Sequence, residues 1–124
     1  MMSLTEQVEN TELHDASLER CVSEGDTLRF EFQNIIIEIG KEEYYRASVI
    51  LNGVREIRRF DEPIAHLVME GDGEVLEFHR GEGKALLLVE WHFYQPNARI
   101  FAHYEIDYAT SSITVEKQDG LITD

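Results

Sequence analysis

The sequence predicts an all-β fold: a single antiparallel sandwich or partly open barrel with, at most, a short N-terminal helix. Apolar and polar residues alternate with period two between Ala16 and Lys117, and turn-forming residues recur every eight to twelve positions. Helical spacing competes only over residues 3–14 and 62–70, spans too short to change the class. Residues 1–12 read as a flexible acidic arm or short helix, residues 13–117 as one β-rich domain, and residues 118–124 as a flexible tail.

The elements follow in order. Ala16–Val22 and Thr27–Phe32 flank a turn made by Glu24, Gly25 and Asp26. Asn34–Ile39 carries the run Ile35-Ile36-Ile37, which suits a strand buried on both faces at the centre of a sheet. Tyr44–Leu51 and Val54–Phe60 are separated by Asn52-Gly53, a dipeptide that accepts the two positive φ values of a type I′ hairpin turn. Ile64–Glu70 and Glu74–Arg80 flank Gly71-Asp72-Gly73, a second hairpin signal. Lys84–Tyr94, Arg99–Tyr108 and Ser112–Lys117 complete the set.

A chain of 124 residues with 43% hydrophobic residues is long enough to bury a sizeable core without metals or disulfides. The single cysteine, Cys21, has no internal partner and sits in a strand pattern as a small apolar filler, which favours a reducing compartment. The first twenty residues carry Glu6, Glu9, Glu12 and Asp15 in place of a basic start and apolar core, so no signal peptide is expected and a cytoplasmic location is. No apolar run is long enough to span a bilayer. The formal net charge of −14 repels nucleic-acid backbones and anionic membrane surfaces and attracts basic proteins.

Five histidines raise the question of a metal site. A four-residue loop at Gly81–Lys84 pairs His79 with Leu86, which puts His79 roughly 20 Å from His92 at about 3.3 Å per residue. A turn centred on Pro96-Asn97 instead pairs Glu90 with His103 and leaves His92 diagonal to it, so His92, His103 and Glu90 form the candidate metal set. On the other face of the same strand, Trp91 and Phe93 are the expected core anchors. A two-residue Asp72-Gly73 turn would bring His66 opposite His79. A two-residue Asn52-Gly53 turn would pair Arg46 with Arg59 and Ile50 with Arg55. Arg46, Arg55 and Arg59 would then share one face, neutralised by nearby carboxylates or serving as an anion or partner patch. Neither a Gly-rich phosphate loop nor a nucleophile elbow is present, and no catalytic residues or cofactors are assigned.

The stretch "ELHDASLERCVSEGDTLRFEF", residues 12–32, with Gly53-Val54-Arg55-Glu56-Ile57 farther on, resembles small bacterial β-rich domains in which a His-Asp-Ala/Ser motif leads into the first strand. Some of these are similar to immunity proteins encoded beside polymorphic toxins. The resemblance implies an all-β fold and carries no catalytic residues; in it, His14 and Asp15 fix the entry to the first strand. The reading as a whole is a non-enzymatic interaction protein whose acidic surface engages a basic protein partner, with immunity as one form of that role. Homo-oligomers are compatible with it; nucleic acid and membrane partners are not expected. The alternative is a small-ligand or metal-binding β-domain using His92, His103 and Glu90.

Overall fold

The computed structural model describes residues 1–122. They form one short helix, α1 (Leu4–Asn10), and nine strands: β1 (Ser17–Glu24), β2 (Thr27–Ile35), β3 (Tyr45–Asn52), β4 (Glu56–Arg59), β5 (Glu62–Ile64), β6 (Asp72–Arg80), β7 (Lys84–Tyr94), β8 (Asn97–Asp107) and β9 (Thr110–Lys117). All pairings are antiparallel, in the order β5-β4-β8-β7-β6-β1-β2-β3-β9, and the sheet is not closed into a barrel. No helix among the described residues is long and apolar enough to cross a membrane.

The sheet has two halves joined by a narrow seam. β1 meets β6 only through Ser17↔Glu74 and Leu18↔Gly73. The halves turn their apolar faces toward each other: Phe78 of β6 packs its ring against Phe30 and Phe32 of β2, with centroids 5.8 and 5.1 Å away. The core therefore resembles that of a sandwich, although hydrogen bonding runs continuously from one half to the other. Alternation supplies its lining: Leu28, Phe30 and Phe32 from β2, Ala47, Val49 and Leu51 from β3, and Ala85, Leu87, Val89 and Trp91 from β7 are all buried. Trp91 is 0% exposed, as its alternation requires, whereas Phe93, near the end of the strand, is half-buried against the core margin.

The N-terminal arm is anchored. Ser3 caps α1 by accepting from the Glu6 N–H while Glu6 returns a bond to the Ser3 N–H, a capping box that satisfies two otherwise free donors. Val8 of α1 is fully buried, and Glu9 holds Arg80 (2.8 Å), which also donates to Ser111 of β9. Residues 12–16 then run beside β6, with backbone bonds from Phe78 N–H to Glu12 O, from Asp15 N–H to Val75 O, and from Val75 N–H to Ala16 O. At the other end Gln118 is buried and donates to Asn34 Oδ1, which ties down the start of the expected tail. The last two residues of that tail, 123 and 124, lie outside the described residues.

Three expected elements are corrected. β3 pairs with β2 and β9, and β4 with β5 and β8, so Asn52-Gly53 does not close a hairpin. Gly53 has φ +65°, but its neighbour Ala109 supplies the stronger reason for glycine: a Cβ at Gly53 would sit 2.7 Å from the Ala109 Cβ. The chain leaves β3 there and crosses to β8, where Arg55 N–H donates to Asp107 O. The tight turn is instead Phe60-Asp61, both residues at positive φ, between β4 and β5. Residues 65–70 form no strand, so His66 does not face His79. The isoleucine run is not a central strand either: β2 ends at Ile35, just after Asn34 at φ +59°, and Ile39 is exposed.

Candidate functional site

The β6–β7 register is the one expected, His79↔Leu86, but a bulge at Leu76 interrupts it. The β7–β8 turn is Gln95-Pro96 rather than one centred on Pro96-Asn97, so Glu90 pairs with Phe101, His92 with Arg99 and Leu88 with His103. The position opposite His92 is thus four residues from His103, about 13 Å along the strand. This separates the expected metal set. His92 Nε2 donates to Glu90 Oε1 (3.0 Å), and His103 lies instead beside Glu105 (4.0 Å).

The arginine patch is dispersed as well, because β3 and β4 are not neighbours. Arg46 pairs with Glu116 on the edge strand β9, Arg55 donates to the Tyr108 carbonyl, and Arg59 binds Glu70 (3.1 Å). Arg58, the one arginine of that stretch not assigned to the patch, is the most heavily engaged. It donates to Asp107 (2.8 Å), Glu105 (3.0 Å) and Glu56 (3.0 Å) across β4 and β8. Its guanidinium holds the Glu105 and Asp107 carboxyls below their ordinary range, chiefly by hydrogen bonding.

A polar chain leads out of the core beside Arg59. Trp91 Nε1–H donates to Tyr104 Oη (3.1 Å), and Tyr104 donates to Glu70 Oε2 (2.6 Å), which Arg59 neutralises. Burial, followed by the Glu70 carboxylate, raises the Tyr104 hydroxyl above its ordinary pKa. This chain satisfies the buried indole and phenol and explains how Trp91 is accommodated at full burial.

The feature best suited to recognition is a groove of about 470 Å³ at the β1–β6 seam. Its floor includes Leu18, Gly73 and Met69, and its rim carries Asp15, Glu19, Asp72 and Glu74 with the exposed Tyr94. Each side chain has a local cause. Gly73 lets the strands close over Trp91, since a Cβ there would lie 3.1 Å from both the Leu18 Cβ and the indole. Glu19 is the extra residue of a bulge, because the β1–β2 register steps from Leu18↔Phe32 to Arg20↔Glu31, and it is exposed. Asp15 is held by its backbone bond to Val75, while His14 Nδ1 donates to the Leu76 carbonyl at the β6 bulge (2.9 Å). That carbonyl, with Asp15 next, raises the His14 pKa. The Tyr94 pKa is raised too, chiefly by the neighbouring Asp72 carboxylate.

Among the described residues no lysine or arginine lies within ion-pair distance of Asp15, Glu19, Asp72 or Glu74; Asp15 has only His14, at 3.6 Å. The groove thus gathers four carboxylates without a permanent counter-charge, in contrast to Glu9, Glu70 and Glu105, each of which holds an arginine. Sequence reasoning missed it because its two halves come from residues 15–19 and 72–74, brought together only by the seam. Comparison with known proteins finds no matching family model, no matching curated protein and no matching solved structure.

Proposed function

We propose that this protein is a non-enzymatic binding domain that engages a basic protein partner, with the seam groove receiving lysine or arginine side chains. The observation that carries this reading is the set of four carboxylates around one concavity with no lysine or arginine paired to them among the described residues, and an exposed tyrosine at the rim. An ammonium or guanidinium group gains Coulomb attraction to the carboxylates and a cation–π contact with the phenol ring. The net charge of −14 extends the attraction beyond the groove, speeding encounter with a cationic surface and disfavouring nucleic acid. Neutralisation of a basic toxin, as in the immunity proteins that residues 12–32 resemble, is the specific role consistent with such a surface.

The test is a titration of the isotope-labelled protein with a tetra-arginine peptide, followed by amide chemical shifts. Saturable shifts centred on Asp15, Glu19, Gly73, Glu74 and Tyr94, weakened by salt and by Asp72→Asn with Glu74→Gln, support the reading. Shifts spread evenly over the acidic surface and unaffected by those substitutions would remove the groove from the proposal. For the immunity role, the protein encoded beside this one is co-purified with it at low and high ionic strength; failure of the pair to associate at low salt argues against that role.

A further inference from the structure

A second cluster lies outside the groove, where the N-terminal segment meets β6. His79 Nε2 is 2.6 Å from Glu77 Oε1 and 3.8 Å from Glu12 Oε1, and one ligand atom from each of the three residues falls within 4.8 Å of the others. We propose that Glu12, Glu77 and His79 form a surface site for a divalent transition-metal cation of the zinc class.

Three observations support the site. The first is its donor set: one imidazole and two carboxylates are ligands zinc accepts, and three protein ligands leave a coordination position open to water. The second is that the backbone positions the donors. The bulge at Leu76 shifts the alternation of β6, so that Val75 and Phe78 are both buried while Glu77 and His79 occupy the solvent side. Glu12 is brought alongside by the bond from Phe78 N–H to its carbonyl (2.8 Å), and the His14 bond to Leu76 O secures the same segment two residues later. The third is charge. Among the described residues neither Glu12 nor Glu77 has a lysine or arginine partner, and both carboxylates converge on one imidazole nitrogen, which can donate to only one of them. A cation held by that nitrogen and both carboxylates would satisfy all three donors at once. It would also cross-link the N-terminal segment to β6, coupling metal binding to the stability of that contact.

The site is tested on the full chain after treatment with chelator, using Zn²⁺ as the probe, by isothermal titration calorimetry and thermal unfolding at pH 7.5. The proposal expects one equivalent bound and a rise in Tm that chelator reverses. His79→Ala, and separately Glu12→Gln, should weaken binding by more than the roughly 10–100-fold that loss of an outer-shell partner costs. All three residues are at least partly exposed, so both variants should fold, and circular dichroism of the metal-free forms checks this. His92→Ala, at the histidine–carboxylate pair on β7, should bind as the parent does. Absence of saturable binding, or binding unchanged by His79→Ala or by Glu12→Gln, would overturn the proposal, as would loss of binding in His92→Ala alone.

Discussion

Replacing Tyr104 by phenylalanine removes one oxygen and leaves the ring in place, which isolates the polar chain from the packing around it. In the parent, Tyr104 is 1% exposed and Trp91 0% exposed, so neither can turn to water when its partner is lost. The substitution leaves the Trp91 Nε1–H without an acceptor in the core, a penalty of about 1–3 kcal/mol. It also removes the hydrogen bond to Glu70, of the charge-assisted kind worth about 1.5–3 kcal/mol, here at the low end because Glu70 is partly exposed and keeps Arg59. The expected loss is about 2.5–4.5 kcal/mol, a large share of the roughly 5–15 kcal/mol that stabilises a domain. Urea unfolding measures it through a lower midpoint at an unchanged slope. A double-mutant cycle with Trp91→Phe separates the two contributions. With the indole N–H gone, Tyr104→Phe should cost only its Glu70 share, giving a coupling of about 1–3 kcal/mol. A cost below about 0.5 kcal/mol for Tyr104→Phe, or a coupling near zero, would refute the claim that this chain is what accommodates the buried tryptophan.

Two further outcomes follow from the same electrostatics and burial. Burial pushes the Cys21 thiol up to about 12, so at pH 8 the native protein should hold about a thousandfold less thiolate than a thiol at 9.0, and should react with a disulfide reagent only on unfolding. Stoichiometric labelling within seconds in the absence of denaturant would contradict this. Because Arg58 depresses the folded pKa values of Glu105 and Asp107 below 4.5 and 3.8, their contribution to stability is fully present at higher pH and is lost as pH falls through the folded values. Arg58→Met should therefore flatten the acid side of the stability–pH profile below about pH 4.5, and a profile parallel to the parent's would show that the ion pairs contribute nothing there.

What the sequence reveals depends on whether a signal is local. β7, from Lys84 to Tyr94, is legible to the residue because its alternation is uninterrupted and its inward positions are all large or apolar. The Gly25-Asp26 turn and the His79↔Leu86 pairing are legible because each is fixed by a short turn between strands adjacent in sequence. The groove carboxylates are not, since a seam of two residue pairs between segments some fifty-five positions apart leaves no periodic trace. The arginine patch failed with the turn on which it depended.

The two glycine dipeptides show why those turn signals misled. Glycine is favoured where φ is positive, and it is also selected where a Cβ would collide with a neighbour; the sequence does not separate the two. At Gly53 the neighbour is Ala109, and at Gly73 it is Leu18 and Trp91, so both glycines mark places where distant parts of the chain press together. The β4–β5 hairpin, formed at the end of the expected Asn52-Gly53 hairpin, turns on Phe60-Asp61, which lacks glycine altogether. Bulges have a comparable effect on side-chain direction. Leu76 shifts β6 so that Glu77 and His79 end on the outer face beside Glu12, and Glu19 in β1 is exposed at the groove rim. In each case one residue out of register exposes a charged side chain while keeping the apolar positions on either side in the core. Glu19 at the groove rim and the proposed metal site thus lie where the strict alternation that made the fold predictable is broken.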